Sequence, residues 1–167
     1  MRFILAAIAF GLAIAPAAAQ TKVDELPAAL KPAGLTPYLE VPADGVQIYT
    51  CKNDNGTWTW VFKAPEASLF DAQKKQIGKH YAGPTWEGMQ GGKVVAAAKA
   101  NAPGAAGSIP WLLLDVKSSE GSSVFTQAKG VLRINTNGGV APAQGCDAAH
   151  AGQEARVPYT ATYVFLK

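Results

Sequence analysis

From residue 43 onward the chain is written in short period-two runs cut apart by turn residues, a pattern that favours antiparallel β-structure. Trp58, Trp60 and Phe62 recur at every second position, with Thr57, Thr59 and Val61 between them. Tyr159, Ala161, Tyr163 and Phe165 do the same near the C-terminus. Alternation of this kind sends successive side chains to opposite faces of a strand. Lys52 to Gly56 separates the first run from Val46–Cys51 and reads as a hairpin loop, with Asn55-Gly56 suited to positive φ. Ile109–Val116 is the most continuously apolar part of this region and suits a strand buried on both faces, Pro110 standing at its start. Val131–Thr136 supplies another strand, and Lys93–Ala98 a further one that its alanines weaken. Many short strands with Gly, Pro and Asn between them predict a single-domain antiparallel β sandwich or barrel with few short helical turns.

The N-terminus belongs to a different class of segment. Arg2, the apolar run Phe3–Ala15 and the small residues Ala17-Ala18-Ala19 have the order of a secretory signal, so residues 1–19 are expected to be removed on export. That run is too short for a membrane span, and no later stretch reaches the ~20 apolar residues a span needs. The expected location is periplasmic or extracellular. Residues 20–42, with prolines at 27, 32, 37 and 42, read as an arm holding at most a short helical turn over Pro27–Leu30. Residues 43–167 form the expected β-rich domain. A second helical turn is expected at Pro65–Leu69, followed by a polar reversal at Asp71–Gln76.

Cys51 and Cys146 are the only cysteines. An even count in an exported chain points to one structural disulfide between them. Such a bridge would pin the long loop that begins at Asn137-Gly138-Gly139 and carries Asp147 and His150. The formal net charge is +3, with lysines scattered rather than clustered, which argues against a nucleic-acid partner and against electrostatic docking on a membrane.

Gly78–Glu87 concentrates the polar and aromatic chemistry. Gly83-Pro84 marks a turn, and His80, Tyr81, Trp86 and Glu87 cluster around it. Tyr and Trp each join a large apolar body to one polar handle, as the wall of a half-wet pocket requires. His80 and Glu87 would face each other if the loop reversed direction suitably. Arg133 lies within a strand, where it either pairs a buried carboxylate or recognises an anionic ligand; the structural pairing is the expectation. His80, His150, Glu87 and Asp147 are chemically adequate metal ligands, but their spacing matches no short metal motif, and no cofactor is predicted. No Gly-x-Ser-x-Gly elbow occurs. The Trp58/Trp60/Phe62 face is expected in the core, since a large apolar face is normally covered by another layer.

Six blocks taken together, among them Gly45–Cys51, Trp60–Ala67, Gly78–Trp86, Ile109–Leu113, Arg133–Gly139 and Val157–Tyr163, resemble the DUF3455 family of exported proteins of unknown function. The likeness spans about residues 40–167 and implies no activity. One departure is Gln90-Gly91-Gly92, where the family pattern has an acidic residue followed by Gly-Ser. The function expected is non-enzymatic binding of a small molecule, saccharide or peptide. The alternatives are a metal-binding protein or metal-assisted hydrolase using His80, and an envelope or secreted interaction protein without a small ligand.

Overall fold

The computed structural model describes residues 21–167; the expected signal at 1–19 lies outside them. Eight strands form one closed antiparallel barrel in simple sequence order: β1 (Pro37–Asp54), β2 (Thr57–Phe70), β3 (Gln76–Tyr81), β4 (Thr85–Gly88), β5 (Lys93–Ala102), β6 (Trp111–Glu120), β7 (Gly130–Gly138) and β8 (Glu154–Leu166). Of the two expected architectures, the barrel is the one formed. The sheet closes on itself, because β8 pairs with β1 as well as with β7. Three single turns of 3-10 helix complete the structure: Val23–Glu25, Ala28–Leu30 and Ala148–His150.

Two layers of apolar side chains hold the wall. Inward-facing residues of the alternating strands fill the barrel, with Val41, Leu69, Trp86, Leu114, Val131, Tyr163 and Phe165 among them. The opposite parity of β6, β7 and β8 presents Leu113, Leu132, Ile134, Val164 and Leu166 to the outside, where Leu26 and Leu30 of the N-terminal arm cover them. This explains why Ile109–Val116 is apolar at consecutive positions: Leu112 and Leu114 face in, Leu113 faces the arm. With Val61 and Phe62 exposed on β2, the rest of the outer wall carries many charged side chains. Its cross-strand ion pairs include Lys79–Glu87, Lys99–Asp115, Lys93–Glu120 and Arg156–Glu66, opposite in character to the apolar outer band of a lipid-facing barrel. No helix among the described residues is long and apolar enough to cross a membrane.

Four expectations need correction. The arm is shorter than residues 20–42, because β1 begins at Pro37 and pairs with β8 through Pro42↔Thr162. The hairpin loop at 52–56 is tighter than expected: β1 runs to Asp54 and only Asn55 and Gly56, at φ 51° and 89°, make the turn. Pro65–Leu69 is no helical turn but the inner half of β2, paired residue by residue with β1 from Gln47↔Pro65 to Ala43↔Leu69. Tertiary pairing overrides local preference there. Pro65 is tolerated because β2 pairs with β3 only from Ala67 onward, so one edge of the strand is free at the proline. The Trp58/Trp60/Phe62 face is not core: Trp58 and Trp60 are half-buried and Phe62 is 52% exposed. That part of the β1–β2 hairpin extends beyond the β3–β4 wall, and its neighbour is the β7–β8 loop, whose Gln144 carbonyl accepts from Trp60 Nε1 at 2.9 Å.

The disulfide Cys51–Cys146 is formed, with Cα atoms 5.3 Å apart. It fastens the same loop to β1, together with backbone bonds from Cys51 N to Gln153 O and from Gly152 N to Cys51 O.

Candidate functional site

The barrel wall is low at one place. The β3–β4 hairpin turns at Ala82-Gly83-Pro84, and its last pairs with the flanking strands are Ala67↔His80 and Thr85↔Val95. Beyond them β2 continues out to Thr57 and β5 to Ala102. The gap gives onto a cavity of about 220 Å3 inside the barrel. Phe62, Lys63, Ala98 and the 82–84 turn form its rim; Pro65, Leu112 and Leu114 form its walls. His80, Trp86, Arg133 and Tyr163 supply the aromatic and polar part of the lining. The far end of the barrel is plugged by Phe125, whose ring lies 4.9 Å from that of Phe165. Gly78 makes room for the plug, since a Cβ there would stand 2.7 Å from the Phe125 ring.

His80 and Trp86 are register partners on adjacent strands, so both point inward. Their rings stack at 4.5 Å, and Tyr163 packs against both, at 4.9 Å from His80 and 5.3 Å from Trp86. His80 Nδ1 lies 2.8 Å from the Thr85 carbonyl. A carbonyl only accepts, so Nδ1 carries the proton and Nε2 the lone pair. Burial pushes the imidazole down to about 3, outweighing the Thr85 bond, which raises it; the Arg133 charge pushes the same way as burial. His80 is therefore a neutral group at any physiological pH.

Arg133 is the partly buried cation of the cavity; Lys63 is the exposed one at its rim. The register partners of Arg133, Leu112 and Tyr163, also face inward. Nε and Nη2 both donate to the Pro110 carbonyl, at 3.2 and 2.8 Å. The expected buried carboxylate partner is absent: among the described residues no Asp or Glu pairs with this guanidinium. What surrounds it is phenolic. Burial raises the Tyr163 hydroxyl well above the ordinary tyrosine range and also raises Tyr159 and Tyr49, while the Arg133 charge acts against the rise in all three. The Tyr159 and Tyr163 hydroxyls are hydrogen-bonded at 3.2 Å, and Tyr49 donates to the Gly139 carbonyl at 2.6 Å. Trp86 Nε1–H is buried with no acceptor among the described residues.

The structure divides the sequence-derived cluster. His80, Trp86 and Arg133 meet at the cavity, whereas Tyr81 and Glu87 lie on the outer face of the same hairpin. There Tyr81 donates to Glu87 Oε2 at 2.7 Å and Lys79 Nζ sits 3.4 Å from the same atom. The Tyr81 bond, followed by Lys79, holds the Glu87 carboxyl below its usual value. His80 and Glu87 do not face each other. The metal candidates are likewise dispersed. His150 donates from Nδ1 to Asp147 Oδ1 at 2.7 Å on the exposed β7–β8 loop, away from both His80 and Glu87. Among the described residues no group of three or more His, Cys, Asp or Glu side chains is placed to hold a metal. Gln90-Gly91-Gly92 lies in the β4–β5 turn, at the opposite end of the barrel from the 82–84 turn.

Sequence reasoning passed over Pro65, Ala98, Leu112, Leu114 and Tyr163 as cavity residues. For Tyr163 a signal existed, because the alternation in β8 separates its buried face from Thr160 and Thr162. Nothing local brings that face beside Arg133, a matter of pairing between distant strands.

No curated protein and no solved structure matches the chain. A family model described as a protein of unknown function (DUF3455) matches residues 32–167. This is the whole barrel together with the end of its N-terminal arm, and the chain belongs to the DUF3455 family.

Proposed function

We propose that this protein is an exported, non-enzymatic binding module that takes a small molecule into the barrel through the gap above the β3–β4 turn. The observation that carries this reading is the cavity: 220 Å3 of space with apolar walls, a stacked aromatic floor and one convergent cation. An eight-stranded barrel is just wide enough either to fill itself with side chains or to hold one small ligand. This one is filled by side chains except at the cavity below the 82–84 turn. The volume lies below the roughly 300–1,000 Å3 typical of pockets for drug-sized ligands, so the occupant is smaller than those.

The lining favours binding over catalysis. Lys63, His80, Arg133 and Tyr163 are its titratable members, and no serine, cysteine or carboxylate stands among them. His80 is locked as a neutral stacking partner. A larger open groove of about 560 Å3 crosses the outer wall near Asp44, Asp71 and Thr162, but no buried polar side chain lines it. Saccharide and peptide occupants fit this small, mostly apolar cavity poorly, since both need a longer, more polar cleft. The disulfide and the expected signal segment support an oxidising location outside the cytoplasm.

Ala98 tests the reading without touching the floor. It lies on the rim and is exposed, so an indole there closes the gap while leaving the core packing alone. Fragments found by ligand-observed NMR to bind the wild type are expected to lose most of their signal change with Ala98→Trp, at unchanged circular dichroism and melting temperature. Binding that survives Ala98→Trp in full would place the site elsewhere, and a fragment set that finds no binder would remove the reading.

A further inference from the structure

We infer that the ligand is a compact monocarboxylate with an apolar or aromatic body, its carboxylate received by Arg133 and its body laid against Leu112, Leu114 and Trp86. This rests on the cavity being the binding site.

Lys63 and Arg133 are the two permanent cations of the cavity lining. Lys63 is exposed at the rim and already paired with Glu154. Arg133 is partly buried, faces into the barrel and has no carboxylate partner among the described residues. A guanidinium has five N–H groups, and the Pro110 carbonyl uses two of them on the Nε/Nη2 edge. The Tyr163 hydroxyl takes a further hydrogen bond from the guanidinium, and the N–H groups left on its Nη1/Nη2 side are the donors a carboxylate would share. His80, the nearest group that would otherwise carry a second positive charge, is neutral and offers Nε2 as an acceptor. The surplus is therefore one charge, which a monoanion balances.

The neutral groups point the same way. Trp86 Nε1–H is a buried donor with no acceptor among the described residues. Together with the open Arg133 edge it makes the cavity richer in donors than in acceptors, so an occupant gains by bringing oxygen acceptors. The remaining lining is leucine, proline, alanine and aromatic carbon, with no carboxylate to hold a cationic ligand and too few donors for a phosphate dianion. A carboxylate head on an apolar body satisfies both halves.

The test compares three probes of one skeleton: 3-phenylpropionate, 3-phenylpropanamide and 3-phenylpropylamine. Affinities are measured by calorimetry at pH 7 on the full mature chain, on Ala98→Trp, on Arg133→Gln and on Arg133→Lys. The acid is expected to bind at least about tenfold more tightly than the amide, with the amine weakest. Arg133→Gln should bring acid and amide to within about twofold of each other, and Arg133→Lys should keep part of the preference because it keeps the charge. Acid binding should vanish with Ala98→Trp. Amide or amine binding as tight as the acid, blocked by Ala98→Trp, would overturn the carboxylate assignment and leave the cavity reading standing. Acid preference that persists in Arg133→Gln would likewise overturn the role of Arg133. Should Arg133→Gln fail to fold, wild type and Arg133→Lys decide alone: equal affinity for acid and amide in both overturns the assignment. None of the three probes binding the wild type would overturn both readings.

Discussion

Lowering the pH from about 6.5 toward 3 is expected to strip the protein of stability by about 1.4 kcal/mol per pH unit through His80 alone. The sign follows from the direction of the shift. In the folded barrel the imidazole is held neutral down to about 3, while in the unfolded chain it takes up a proton near 6.5. The unfolded state thus binds more protons throughout that window. Stability from this group is fully present above pH 6.5 and is lost as the pH falls through the window. The groups facing His80 do not cancel the effect: the Arg133 guanidinium is common to wild type and His80→Gln and drops out of the difference, and Tyr163 stays protonated because burial raises it. His80→Gln isolates the contribution, since an amide can still donate to the Thr85 carbonyl but does not titrate. Urea unfolding across pH 4–8 should show a difference between wild type and His80→Gln that is flat above pH 7 and shrinks steadily below pH 6. The carboxylates lowered in the folded state, Glu87 and Asp147, are present in both proteins and drop out of the difference. Parallel curves would mean that His80 titrates normally in the fold, and hence that the cavity floor is open to water.

Removing the Cys51–Cys146 bridge is the second large effect. The bridge closes a loop with a sequence separation of 95, for which the chain-entropy model gives roughly 4–5 kcal/mol. In a barrel of this size that is a large share of the roughly 5–15 kcal/mol expected in total. Its structural partner is specific: the β7–β8 loop, with the Ala148–His150 turn capped by Asp147, is fastened to β1 by this bond and by the backbone pairs around Cys51. The double variant Cys51→Ala/Cys146→Ala should therefore lower the denaturation midpoint by an amount equal to that of reducing the wild type. Amide exchange should quicken first over the β7–β8 loop and the outer half of the β1–β2 hairpin, with β5 and β6 least affected. A midpoint unmoved by reduction would show that the loop is held by its hydrogen bonds alone.

Much of the barrel was legible because alternation is local. The Tyr159/Ala161/Tyr163/Phe165 face is buried as its period requires, and the Cys51–Cys146 pairing followed from count and compartment. The apolar run Ile109–Val116 marked the doubly covered first half of β6, though the strand begins after Pro110 and continues exposed to Glu120; its outer cover, Leu26 and Leu30 of the arm, carries no signal beyond two leucines in a proline-rich stretch. The misread Trp58/Trp60/Phe62 face has the same alternation as β8. Which of two such strands lies inside depends on where neighbouring strands stop, and the short β3–β4 hairpin leaves this one beyond the wall.

The candidate site was half legible for a related reason. A hairpin turning at residues 82–84 pairs His80 with Trp86 and Lys79 with Glu87, so period two alone separates the inward pair from Tyr81 and Glu87. That step needs only the position of the turn. The placement of Arg133 beside Tyr163, by contrast, depends on the β7–β8 register across a loop of fifteen residues, Gly139–Gln153, and no local pattern encodes it.

The binding of a small molecule inside the barrel is tested most directly at the indole Nε1–H of Trp86. The chain has four tryptophans, so an 15N-labelled sample gives four indole signals, with Trp86 assigned by its loss in Trp86→Phe. On titration with 3-phenylpropionate the Trp86 signal should move, while those of Trp58, Trp60 and Trp111 stay in place. Movement of Trp58 or Trp60 with Trp86 unchanged would contradict it, and would put the ligand on the projecting hairpin instead.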